Sequence, residues 1–175
     1  MAQAAALQKR ENAMAKVVIL GAGLGGTLTA YEMKAELGKD DSLTVIGQGS
    51  RYHFVPSNPW VAVGWRERDE IEIDVAQVMA RKGIVYFGQG AARLHPDENR
   101  IELTDGASVP YDYLVIATGP DLAFDEIPGL GPGSFTQSVC HVSGGGRGCG
   151  GWGGYAAGRD RIVLDSVQEA SCFGH

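Results

Sequence analysis

Two glycine-bearing turns and three cysteines are the residues of this chain that could do chemistry. Gly21-Ala22-Gly23-Leu24-Gly25-Gly26 follows the apolar run Lys16-Val17-Val18-Ile19-Leu20 and opens a helical pattern. Glycines at such a strand-to-helix turn let the chain reverse tightly and let a pyrophosphate reach backbone amides. Far downstream, Ala117-Thr118-Gly119-Pro120 ends a second apolar run, Tyr113-Leu114-Val115-Ile116-Ala117. Its small residues would let that strand end lie against the same ligand. Glycines at a turn can also serve packing alone; the pairing of the two turns favours a bound dinucleotide, FAD.

The cysteines, Cys140, Cys149 and Cys172, are too few for a secreted disulfide framework and lack Cys-x-x-Cys spacing, so no metal site is expected. Taken alone they read as buried or incidental thiols.

The elements that must position these turns follow from periodicity. Leu24 to Leu37 has helical spacing, with Leu24, Leu28, Tyr31, Met33 and Ala35 as its apolar positions and Gly38 as its stop. Leu43-Thr44-Val45-Ile46 then completes a βαβ unit. The acid that commonly ends this second strand is absent; the chain reads Gly47-Gln48-Gly49-Ser50, which leaves Gln48 or Ser50 to hydrogen-bond a ribose.

Arg51 to Trp60 contains two prolines and is expected to be a rigid loop, neither regular helix nor central strand. Its Tyr52, Phe54 and Trp60 either pack by a flavin or fill core, and His53 reads as a surface or structural histidine. Arg66 to Glu70 reads as a solvated charge run, and Ile71 and Ile73 alternate with acids in a strand-like manner. Val75 to Arg81 has helical spacing ended by Gly83, before the strand Ile84 to Phe87. Ala92 to Leu94, Arg100 to Leu103 and the hairpin signal Asp105-Gly106, leading into Val109 to Ala117, predict a small antiparallel sheet after the third parallel strand. The expected fold is α/β, a Rossmann-like FAD-binding domain with a central parallel sheet and a small antiparallel insert.

Composition narrows the function classes. The chain has 175 residues, 44% of them hydrophobic, a formal charge of -6 and a pI near 5.1. That acidity argues against nucleic acid as a partner and is ordinary for a cytoplasmic protein. No apolar run is long enough to span a bilayer. Residues 1–15 contain no signal-peptide core and read as a disordered lead-in, with Met14 as an alternative start.

Several segments resemble the sulfide:quinone oxidoreductases, within the disulfide-reductase-like flavoproteins. They are Val17 to Gly23, Tyr31 to Lys34, Phe54-Val55-Pro56-Ser57-Asn58-Pro59-Trp60, Gly64-Trp65, Tyr111 to Leu114 with Ala117 to Pro120, Gln137 to Cys140, and Ala170-Ser171-Cys172-Phe173-Gly174. Phe54 to Trp60 and the final Ala-Ser-Cys-Phe-Gly are far more specific than the glycine turn. The resemblance implies FAD along the first turn, sulfide oxidised by a cysteine pair beside the flavin, and electrons passed to a quinone. It implies Cys172 as one member of that pair and Cys140 as a further cysteine near the flavin, a thioether partner in some members. The cofactor contacts expected are Gly21, Gly23, Leu24, Gly25, Gly26, Gln48, Gly90, Ala91, Ala117, Thr118, Gly119 and Pro120, with Pro56 and Ser57 near the flavin ring. Neighbouring readings are the flavin subunit of a flavocytochrome c sulfide dehydrogenase and a type-II NADH dehydrogenase. A reading of another class is a non-catalytic remnant that binds FAD.

The resemblance breaks at Ser143. Nine of the sixteen residues from there to Gly158 are glycine, a composition that cannot specify a helix. Relatives have an Asp-His-Ala-Glu helix start here, so the family's histidine has no counterpart. The pattern returns near Ile162, which reads as a local reading-frame error or a decayed gene, with a flexible linker as the alternative. Asp165 and Glu169 stand where a second phosphate turn would be. The expected organisation is therefore residues 1–15 lead-in, residues 16–142 FAD/NAD(P)-binding domain, and residues 143–175 an aberrant segment with the start of a second dinucleotide region. The chain is expected to be an N-terminal fragment with little catalysis of its own. Peripheral membrane contact is expected only through the C-terminal region of longer relatives, and homo-oligomerisation is left open.

Overall fold

The computed structural model describes residues 14–62, 64–121, 123, 126 and 128. Two compact units divide the chain. The first comprises residues up to Tyr52 together with Asp74–Gly119, and the second comprises His53–Ile73 and the residues from Pro120 onward.

The first unit is built on four parallel strands. They are β1 (Lys16–Leu20), β2 (Ser42–Ile46), β5 (Val85–Phe87) and β9 (Tyr113–Ile116), in the order β5-β2-β1-β9. This places the first strand centrally and the third and fourth on opposite sides of the first two, the strand order of a dinucleotide-binding half. Register is fixed by Val18 opposite Thr44 on one side and Leu114 on the other.

Both faces of the sheet are covered, which is why β1 is apolar from Val17 to Leu20 instead of alternating. Val17 and Ile19 pack with Leu43, Val45, Ala30, Val75 and Met79 on the face carrying helices α1 (Leu24–Glu36) and α3 (Val75–Arg81). Val18 and Ile46 pack with Ile101, Leu103, Val109 and Tyr111 on the other. That second face is roofed by an antiparallel sheet of β6 (Ala91–His95), β7 (Arg100–Leu103) and β8 (Ser108–Pro110). The layers are thus helices, parallel sheet and antiparallel sheet. Ile19 and Met79 are fully buried, and truncating either to alanine would cost about 2–5 kcal/mol.

Helix α1 turns an unexpected face inward. Gly26 and Ala30 are its buried residues, whereas Leu24 and Leu28 are 44% and 55% exposed. Small residues let the helix lie close to the sheet, with Gly26 against the Gly21 carbonyl and the Ala117 β-carbon; a leucine at either buried position would hold it away.

The second unit contains α2 (Asn58–Ala62) and two 3-10 turns, Val55–Ser57 and Arg68–Ile71. The loop expected over Arg51 to Trp60 is therefore corrected: Arg51–His53 forms strand β3, paired in a two-stranded sheet with β4 (Glu72–Asp74), and a helix starts at Asn58. Its prolines are compatible because Pro56 and Pro59 stand in first turns, where a missing N–H leaves no helical bond unmade. Val61 and Ile71 form a small core, and Trp60 stacks on Trp65 with ring centroids 5.2 Å apart. No described helix is long and apolar enough to cross a membrane.

Candidate nucleotide-binding site

The turn between β1 and α1 is held from two sides. Gly21 N donates to the Ile46 carbonyl at 2.7 Å, and Ala117 N donates to the Leu20 carbonyl at 2.7 Å. These bonds extend both ladders past the strand ends, so that the two sequence motifs meet. Gly21 has φ +115°, and a β-carbon there would run into the Ala117 carbonyl and lie 2.8 Å from Thr118 N. A β-carbon on Gly26 would strike the Gly21 carbonyl. Both glycines are demanded by contact within the protein.

Gly23 and Gly25 are different. A β-carbon at either meets no heavy atom within 4 Å, and both residues are exposed. Packing does not account for glycine here; room for a close-lying ligand does. Gly23 caps α1 without a side chain, no side-chain cap bonds the first turn, and that turn holds no acid. The free amides of the first turn and the positive end of the helix dipole therefore face an uncontested space, which suits a pyrophosphate. The residues fit a dinucleotide cofactor.

The loops after β2 and β5 close the same end of the sheet. Gln48 and Gln89 form an isolated antiparallel bridge, and Gly49 N donates to the Gly88 carbonyl at 2.8 Å. Tyr86 Oη donates to the Gly49 carbonyl at 2.8 Å; burial raises its pKa, and Asp74 adds to the rise. Gln48 and Ala91 are exposed, while Gly90 is half-buried. The strand-end reading singled out Gln48 and the family resemblance Gly90 and Ala91, but both missed Tyr86, whose only signal was an aromatic in a parallel strand.

Residues 15–145 match the family described as pyridine nucleotide-disulphide oxidoreductase. The chain belongs to that family. Members of the pyridine nucleotide-disulphide oxidoreductase family are flavoproteins that bind FAD. Among curated relatives, a sulfide-quinone reductase of Aquifex aeolicus is 38% identical over 112 residues, 63% of this chain and 26% of its own length. A mitochondrial sulfide:quinone oxidoreductase of Mus musculus is 31% identical over 120 residues, 67% of this chain and 26% of its own. The solved sulfide:quinone oxidoreductase of Aquifex aeolicus superposes with a TM-score of 0.70 at 28% identity, covering 82% of this chain and 32% of that one. The chain spans about a quarter of the length of these curated relatives.

The remaining expected site residues belong to the second unit or fall outside the described residues. Pro56 and Ser57 belong to the second unit, where Arg66 donates to Ser57 Oγ at 2.6 Å. Asn58 is buried beside them with both amide atoms unpaired. Pro120 is exposed in the same unit. Cys140 and Cys172 lie outside the described residues, as does the glycine-rich stretch from Ser143. Among the described residues no cluster of His, Cys, Asp and Glu could hold a metal ion. A cavity of about 240 Å³ opens at the starts of β1 and β2, beside Lys16 and Ser42. Lys16 is its only titratable lining group, and it offers no chemistry.

Proposed function

We propose that the chain is the FAD-binding part of a sulfide:quinone oxidoreductase. The observation that carries this reading is the packing of Ala117 against Gly21, which joins the two motifs beside an open helix start. The 38% identity to a sulfide-quinone reductase supports the substrate class.

The amides of Leu24 and Gly25 bind the pyrophosphate, and Gly23 and Gly25 leave the room it needs. Thr118 and Gly119 border the cofactor on the β9 side. Gln48, Gly90 and Ala91 take the adenosine end. FAD, when bound, supplies a two-electron acceptor. Cys172 is the thiol that takes up sulfur, and Cys140 is a further cysteine of the flavin site. Sulfide and that thiol together form a persulfide, releasing two electrons and two protons, which carry a quinone to its quinol.

Anaerobic titration tests the reading. Purified chain incubated with FAD and freed of excess cofactor retains flavin absorbance, and in a protein carrying this segment together with the remaining length of the relatives sulfide reduces that bound flavin faster than NADH does. A complex reduced by NADH and untouched by sulfide would assign the chain to pyridine-nucleotide chemistry instead.

A further inference from the structure

The entry to β1 is held by two carboxylates from distant turns. Ala15 N donates to Asp41 Oδ1 at 2.9 Å, and Lys16 N donates to Asp112 Oδ2 at 2.8 Å. The Ala15 carbonyl in turn accepts from Ser42 N at 2.9 Å, so the fold grips both polar backbone atoms of this residue. Asp41 is half-buried, and its other oxygen accepts from Gly38 N. Neither aspartate has an ion-pair partner among the described residues. A neutral amide at position 15 leaves the charge of Asp41 uncompensated; an ammonium on the same nitrogen compensates it and makes a stronger, charge-assisted bond. Met14, directly before, is 57% exposed.

We propose that Ala15 is a processed N-terminus: synthesis starts at Met14, and hydrolysis of the peptide bond between Met14 and Ala15 leaves the Ala15 α-ammonium on the Asp41 carboxylate. Water is the co-reactant, and the products are free methionine and the chain with a protonated amine. The enzyme class is an aminopeptidase that removes an initiator methionine ahead of a small side chain, a requirement that alanine meets. The charged groups about the amine are Asp41 from the turn before β2, Asp112 from the turn before β9, and the adjacent Lys16. Asp41 is the seat of the amine, and Asp112 holds the next residue in line with it.

Two measurements test the proposal. Intact-mass spectrometry of the protein made from its own gene, upstream sequence included, should show a chain that begins at Ala15 with a free amine. Urea denaturation should then compare that chain with one retaining residues 1–14. Between about pH 5 and pH 7 the shorter chain is expected to have a folding constant about five-fold larger, the scale of a partly exposed ion pair. Pairing raises the folded pKa of the amine, so the gain is full below the unfolded α-amino value of about 8 and is lost as pH rises through the folded one. Asp41→Asn, made in both chains, should abolish the difference between them, because it keeps an acceptor and removes the charge. A mass that includes Met14 or residues before it overturns the proposal. So does a gain that is absent at pH 6, that does not fall as pH rises, or that persists in Asp41→Asn.

Discussion

Gly21 lies against Ala117 so closely that a β-carbon at position 21 would enter the Ala117 carbonyl, and this single contact brings the chain's two distant motifs to one place. The left-handed φ of +115° adds strain to any larger residue. Gly21→Ala is expected to lower the unfolding free energy by about 2–4 kcal/mol, the cost of overpacking plus an unfavourable dihedral, as read from urea denaturation. Unchanged stability would mean that β9 can retreat from the turn without loss.

The opposite end of β1 is fastened by one carboxylate. Asp41 accepts from Ala15 N and Gly38 N, both at 2.9 Å, tying the exit of α1 to the residue before the first strand. Asp41→Ala should cost about 1–2 kcal/mol in thermal unfolding, and Asp41→Asn about half of that because one acceptor remains. Equal losses would indicate that charge, not the paired bonds, matters there.

In the second unit Glu72 accepts from Arg68 Nε and His53 Nε2, each at 2.6 Å. Arg68, then His53, hold its carboxyl below the usual range. A lowered folded pKa gives stability that is present above the unfolded carboxylate value and is lost as pH falls through the folded one. Wild type should therefore exceed Glu72→Gln by a constant margin above about pH 5, and the margin should shrink below about pH 4.3. Its size is about 1 kcal/mol, since Arg68 is 53% exposed and solvent weakens that pair. A margin independent of pH down to the acid transition would refute the ion-pair account.

Much of the first unit was legible in the residues because local signals and tertiary packing agree there. Gly38 and Gly83 mark the ends of α1 and α3, and Arg100–Leu103 forms a strand with the expected limits. The apolar face of α1 was not legible. Leucines dominate its periodicity, yet contact with the sheet selects Gly26 and Ala30, since close approach rewards small residues over apolar ones. The helix at Asn58–Ala62 was hidden by prolines that break a helix interior but suit its first turn. At the site, the glycines needed for packing and those leaving open space look identical in sequence. Only the surroundings separate Gly21 and Gly26 from Gly23 and Gly25. The Tyr86 contact with Gly47 and Gly49 pairs residues on different strands, which periodicity cannot report.

That distinction gives the most direct test of the account, thermal unfolding of wild type and Gly25→Ala with and without FAD. Nothing lies within 4 Å of a β-carbon at position 25, so the alanine should stabilise the unliganded chain by about 0.5–1 kcal/mol through reduced unfolded-state entropy. In the cofactor's place the same methyl group should intrude. The account predicts that FAD raises the wild-type melting temperature and raises that of Gly25→Ala little or not at all. Equal FAD-dependent shifts in both proteins, or none in wild type, would contradict the claim that the open space above the α1 start holds the cofactor.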